Sequence, residues 1–182
     1  MKYLVVTLVD PITGIPCHIE PMQNGATVPN IEGFTQVFDN HSTWRQCAPT
    51  ELRIPPPRFY GTCPDDVDNS ISGILEIITE TSFSLARAEE TLNLAIQALT
   101  RSVQLYLDRF AIERGYDNII SACSYATSGN AEFAADAARC IALRDATWIA
   151  VNAVFAAAKA GTRTLPQTYA ELALELPALT WN

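Results

Sequence analysis

Positive charge is scarce in this chain: 12 Lys and Arg stand against 20 Asp and Glu, for a net charge of −8 at pH 7. Nucleic acid and anionic lipid both need clustered Lys and Arg to displace counterions, so neither is an expected partner and another protein is. Long hydrophobic runs are missing too. The most apolar segment, 146–158, contains Asn152 and falls short of the roughly 20 residues of a bilayer span, so it reads as a buried helix of a soluble protein. The five cysteines are odd in number and contain no C-x-x-C pair, as expected of thiols kept reduced in cytosol.

The N-terminal run 3–9 ends at Asp10-Pro11 without a small-residue cleavage site. It reads as a strand, not a leader. Asp10-Pro11-Ile12-Thr13-Gly14 is a turn signal leading to a second strand at 15–20. Short strands are expected at 26–28, 33–38 and 58–62, forming one small antiparallel sheet. Between them lies a loop, 41–57, with Pro55-Pro56-Pro57 and Trp44. Trp44 either packs over the sheet or faces a partner. Asp65, Asp66, Asp68 and Asn69 suggest calcium, but no complete twelve-residue loop with a terminal Glu is present, so a solvated acidic linker is the plainer reading. Segment 71–78 has an ambiguous period and fits either a last strand or the helix entry.

From Ser82 the period changes. Leu85, Ala88, Leu92, Ile96, Leu99, Val103, Tyr106 and Phe110 recur at spacings of three and four, the stripe of one long helix over 82–115. Thr81 or Ser82 caps its start and Gly115 ends it. Leu85, Leu92, Leu99 and Tyr106 also repeat every seven residues, so an intramolecular bundle competes with a parallel coiled coil; the breadth of the stripe favours the bundle. A short helix over 117–126, capped by Asp117, is followed by a long one over 131–160, capped by Asn130, with Phe133, Ala137, Cys140, Ile141, Trp148, Val151 and Phe155 on its buried face. Gly161 ends it. Thr168 and Glu171 form a capping box for a last helix over 169–175, and Leu179 and Trp181 fold back onto the bundle.

The expected fold class is therefore α+β, with a small β-rich attachment domain at 1–70, a linker at 71–81 and an antiparallel helical domain at 82–182. No nucleophile, base and orienting group are visible together. Cys17 and His18 are neighbours in a strand and point to opposite faces. A zinc set drawn from Cys17, His18, His41, Cys47 and Cys63 matches no standard spacing. Glu113, Arg114, Asp117, Arg144 and Asp145 make the best polar cluster, more naturally a register-locking network than acid–base machinery. No cofactor or metal is expected, and the protein does not read as an enzyme.

From about Tyr106 onward the chain resembles a helical region of tail proteins of tailed bacteriophages. The carrying residues are Arg114-Gly115-Tyr116-Asp117-Asn118-Ile119-Ile120-Ser121-Ala122-Cys123-Ser124-Tyr125-Ala126, Phe133, Ala137, Arg144-Asp145-Ala146, Trp148, Pro166, Glu171-Leu172 and Leu176-Pro177-Ala178-Leu179-Thr180-Trp181. Leu143, where an aromatic is expected, and Asn182, in place of a final Pro, depart from the pattern. Phe59-Tyr60-Gly61-Thr62-Cys63-Pro64-Asp65-Asp66 resembles the start of small tail proteins more weakly. The resemblance implies a structural component of a tail, baseplate- or fibre-associated, oligomeric within an assembly. It would contact other tail proteins and reside in the virion after passing through the host cytoplasm. A tail-fibre assembly chaperone is the alternative. Trp44, Phe59, Tyr60, Leu85, Leu92 and Leu99 are the expected interaction residues.

Overall fold

The computed structural model describes residues 1–7, 34–40, 58–65 and 75–181. The expected strands at 15–20 and 26–28 and the loop at 41–57 lie outside them. Four strands, β1 (Lys2–Thr7), β2 (Thr35–Asp39), β3 (Arg58–Cys63) and β4 (Leu75–Ile78), form one sheet in the order β2-β3-β1-β4. Every pairing is antiparallel. The helices α1 (Glu80–Ile112), α2 (Ile119–Ser124), α3 (Ala131–Lys159) and α4 (Tyr169–Ala173) follow, with a 3-10 turn at Tyr125–Thr127. The class is α+β, as the change of period from two to 3.6 near Thr79 requires.

Two compact units divide the chain, Met1–Leu94 and Ala95–Asn182, and the division falls inside α1. In the first unit β3 alternates strictly. Phe59, Gly61 and Cys63 are buried, and so are Leu4 and Val6 on β1, which lie opposite Gly61 and Phe59. These residues share one face, because directly opposed side chains of a ladder point the same way. The other face carries Tyr3, Val5, Tyr60 and Phe38. Phe83 of α1 settles there, with ring centroids 4.9 Å from Tyr3 and 5.2 Å from Phe38. Between Gln36 and Phe38 the β2–β3 register shifts by a bulge at Val37.

Helix α1 starts earlier than its sequence stripe suggests. Thr79, not Thr81 or Ser82, is the cap: its hydroxyl accepts from the Ser82 amide at 3.1 Å. At the other end Gly115, φ 84°, and the bonds Gly115 N–H to Ile112 O and Tyr116 N–H to Ala111 O close the helix as a Schellman motif. The regular helix therefore stops at Ile112, and 113–115 belong to its cap. The buried stripe also differs. Leu85 and Ala88 are exposed, while Phe83, Ile96, Leu99, Val103, Leu107, Phe110 and Ala111 are buried. Tyr106 is displaced from it by Leu107, one residue on.

In the second unit Asn118, not Asp117, caps α2 by accepting from Ser121 N–H at 2.9 Å. Asp108 ties this start to α1: its Oδ1 accepts from Ile119 N–H and from Gln104 Nε2, both at 3.0 Å. Asn130 caps α3 as expected, accepting from Glu132 and Phe133 N–H, and Gly161 closes it with φ 70°. The buried face of α3 is Ala137, Cys140, Leu143, Thr147, Val151, Val154, Phe155 and Ala158. Phe133 instead lies at the surface against Tyr125, 5.4 Å between centroids. The α4 capping box is skewed: Thr168 accepts from Glu171 N–H, but the Glu171 carboxylate reaches Gln167 N–H rather than that of Thr168.

Trp181 folds back as expected. Its indole N–H donates to Phe110 O at 3.1 Å, so it satisfies an α1 carbonyl in the helix's last turn, and its ring stacks on Phe110 with centroids 4.1 Å apart. Thr147 is an anomaly in this core. It is 1% exposed and its hydroxyl has no hydrogen-bond partner. A buried unsatisfied hydroxyl carries an uncompensated desolvation cost, so Thr147→Val, which keeps the shape, is expected to stabilise this unit by about 1 kcal/mol in chemical denaturation.

Candidate functional site

The helix–sheet seam of the first unit changes character along α1. Phe83, Ala86, Glu90 and Asn93 recur at three and four, one face of the helix turned toward the sheet. Phe83 seats among aromatic rings. Ala86 is then too small to fill its place, and Glu90 puts a carboxyl group, 7% exposed, at a position where a core helix normally has an aliphatic residue. The result is a cleft of about 210 Å³ lined by Phe38, Asn40, Arg58, Tyr60, Ala86, Glu89, Glu90 and Asn93.

Its walls are held locally. Phe38 and Tyr60 stack with centroids 4.5 Å apart and planes within 3°, and Phe83 braces both edge-on. Their antiparallel pairing, Phe38 opposite Tyr60, puts the rings side by side on one face. Asn40 and Arg58 clasp the strand ends: Asn40 N–H donates to Arg58 O at 3.1 Å and Arg58 N–H donates to Asn40 Oδ1 at 2.8 Å. Arg58 and Glu89, both exposed, belong to the cleft lining.

Of the residues singled out from sequence, Tyr60 lies in this cleft. Phe59 is not a surface residue at all: it is fully buried opposite Val6. Along α1, Leu85 is 67% exposed, Leu92 half-buried and Leu99 only 5% exposed, so a repeat of seven joins residues of different roles. Trp44 lies outside the described residues, as do Cys17, His18, His41 and Cys47. Cys63 is buried. Asp65 pairs with the amino group of Met1, while Asp66, Asp68 and Asn69 are outside the described set. Among the described residues no group of three or more His, Cys, Asp or Glu is placed to hold a metal ion.

The polar cluster does not assemble around the corner after α1. Arg144 pairs with its chain neighbour Asp145 at 2.7 Å. Arg114 lies over the Trp181 ring at 5.1 Å, a cation–π contact. Glu113 and Asp117 are exposed. The bond that crosses this region is instead Tyr116 OH to Asp136 Oδ2, 3.2 Å, and burial, followed by that carboxylate, raises the Tyr116 pKa.

Burial pushes Cys140 up to about 11, and Cys123 is raised by burial despite the Arg144 guanidinium beside it. Tyr169, its hydroxyl buried without a partner, is pushed up to about 12, mainly by burial. On the surface, Arg163 grips Glu175 with two bonds of 2.8 and 2.7 Å and holds its carboxyl below the ordinary range. Helix α3 is long and apolar enough by length and composition to cross a membrane, with a third of its most apolar window buried. That length exceeds the 146–158 run considered from sequence.

Comparison with protein-family models, with curated proteins and with solved structures finds no match. The pattern along α1 was readable in sequence only in part. Glu90 was hidden because a carboxylate in a long helix ordinarily marks the solvated face. Its spacing of seven from Phe83 was the available signal.

Proposed function

We propose that this protein is a structural component of a bacteriophage tail, baseplate- or fibre-associated, acting through contacts with other tail proteins and catalysing nothing. The observation that supports this reading is the role of the residues carrying the resemblance. Gly115 and Asn118 terminate and cap helices, Tyr116 bonds Asp136, and Trp181 pins the chain end to Phe110. A pattern of this kind specifies a shape, which is what an assembly part needs, and places no reacting group. Exposed large apolar side chains, Leu85 on α1 and Ile149 on α3 among them, supply surface for partners.

In this reading the protein resides in the virion tail after assembly in the host cytoplasm, as an oligomer within the assembly, without nucleic acid or membrane as partner. Mass spectrometry of purified virions of the phage encoding it is expected to find the chain at a fixed copy number. Absence from virions, with recovery on immature fibres in infected cells, would replace this reading with that of a fibre-assembly chaperone.

A further inference from the structure

We infer that the outward face of α1 in the second unit, Ala98, Arg101, Leu105, Arg109 and Ile112, is the docking seam for an acidic amphipathic helix of a partner protein. This deepens the proposed assembly role and rests on it for the existence of a partner. The five residues recur at spacings of three and four, so they share one face of the helix. All five are exposed, Leu105 at 60% and Ile112 at 54%. Val103, Leu107 and Phe110, on the opposite side, are buried in the core of the unit. A surface helix ordinarily has one apolar stripe and one polar face, whereas α1 here has large apolar side chains on both. Ala98, Leu105 and Ile112 also repeat every seven residues, the period at which a second helix follows a seam.

Charge selects the occupant. Arg101 and Arg109 stand in the seam one turn before and one turn after Leu105, and among the described residues neither guanidinium has a hydrogen-bond or ion-pair partner. Asp108, at the edge of the seam, spends its Oδ1 on Ile119 N–H and Gln104 Nε2. Glu113, four residues after Arg109, makes no ion pair with it among the described residues. A second copy of this chain is a poor occupant. Packing α1 on α1 along this face sets Arg101 against Arg101 in a parallel pair, and against Arg109 in an antiparallel pair centred on Leu105, and like charges so placed repel. The net charge of −8 sets the whole chain against an anionic bilayer. A helix with Asp or Glu beside its own apolar seam answers both features: its apolar side chains cover Leu105 and Ile112, and its carboxylates meet the two arginines.

The test is an NMR titration of the full chain that follows the Leu105 and Ile112 methyl groups and the Arg101 and Arg109 Nε–H groups. The probe is a synthetic helix of about three heptads with Leu at its seam and Glu flanking it. The same peptide with Lys in place of Glu, and vesicles of phosphatidylglycerol and phosphatidylcholine, are the other arms. Saturable shifts are expected from the Glu peptide with a dissociation constant of about 10–100 μM, in keeping with so short a seam. The double variant Arg101→Gln, Arg109→Gln should weaken binding about fivefold, and Leu105→Asp by at least about tenfold. Both variants should keep the helical circular dichroism, because all three side chains are exposed. Equal binding of the Lys peptide, larger shifts from vesicles than from the Glu peptide, self-association of the chain through these same signals, or no saturable shift would overturn the inference. Detection of the chain in virions is a separate measurement, so either result can fail while the other stands.

Discussion

Leu99→Asp is expected to unfold the unit formed by 95–182, whereas Leu85→Asp, two heptads earlier on the same helix, leaves both units folded. Leu99 is 5% exposed and shares its buried stripe with Ile96, Val103 and Leu107. An aspartate there removes a packed side chain and leaves a carboxylate without water or partner, for a combined cost above about 4 kcal/mol. That approaches the whole stability of a domain at the lower end of the roughly 5–15 kcal/mol range. Leu85 is 67% exposed, so its replacement changes stability by less than about 0.5 kcal/mol. Urea unfolding of the two variants followed by circular dichroism separates these outcomes. Equal stability of the two would mean that α1 is rotated from the position described. If Leu85 is a contact in the assembly, its variant alone should fold and fail to incorporate.

Gly61→Val is expected to disrupt the sheet of the first unit. A Cβ built on Gly61 would lie 2.4 Å from two carbons of the Phe34 ring and 2.4 Å from the Thr35 carbonyl oxygen. The ring could turn away; the backbone oxygen belongs to β2 and cannot move without breaking the β2–β3 ladder. Overpacking of this kind costs about 1–3 kcal/mol in a core that adjusts, and more where backbone must move. Gly61 also sits opposite Leu4, which is fully buried, so any shift of β3 is felt on β1. The expected readout is loss of amide protection at Leu4, Val6 and Phe59, with protection in α3 retained. Full protection in the variant would show that Phe34 and Thr35 do not hold that close approach.

What could be read directly in the residues was what depends on near neighbours in the chain. Asn130, Thr168, Gly115 and Gly161 act where local rules put them, because a cap needs a side chain or a left-handed residue within three or four positions. The strands at 3–9, 33–38 and 58–62 were visible from β-branched and aromatic content, and all three overlap observed strands. Errors arose where two neighbouring choices are locally equivalent. Asp117 and Asn118 are both good caps, and the Ile119 N–H bond to Asp108, eleven residues back, accompanies the choice of Asn118.

The sequence by itself determined the class of fold, the number of long helices, the glycines that close them and the net negative charge. Only the tertiary structure decided which side of α1 is buried and that a cleft exists beside it. Periodicity defines a stripe of a given width but not its rotation: Leu85 and Phe83 are both apolar and nearly adjacent, and the rings of Tyr3, Phe38 and Tyr60 take Phe83. That rotation carries Glu90 inward and leaves the gap at Ala86, and these two consequences make the site.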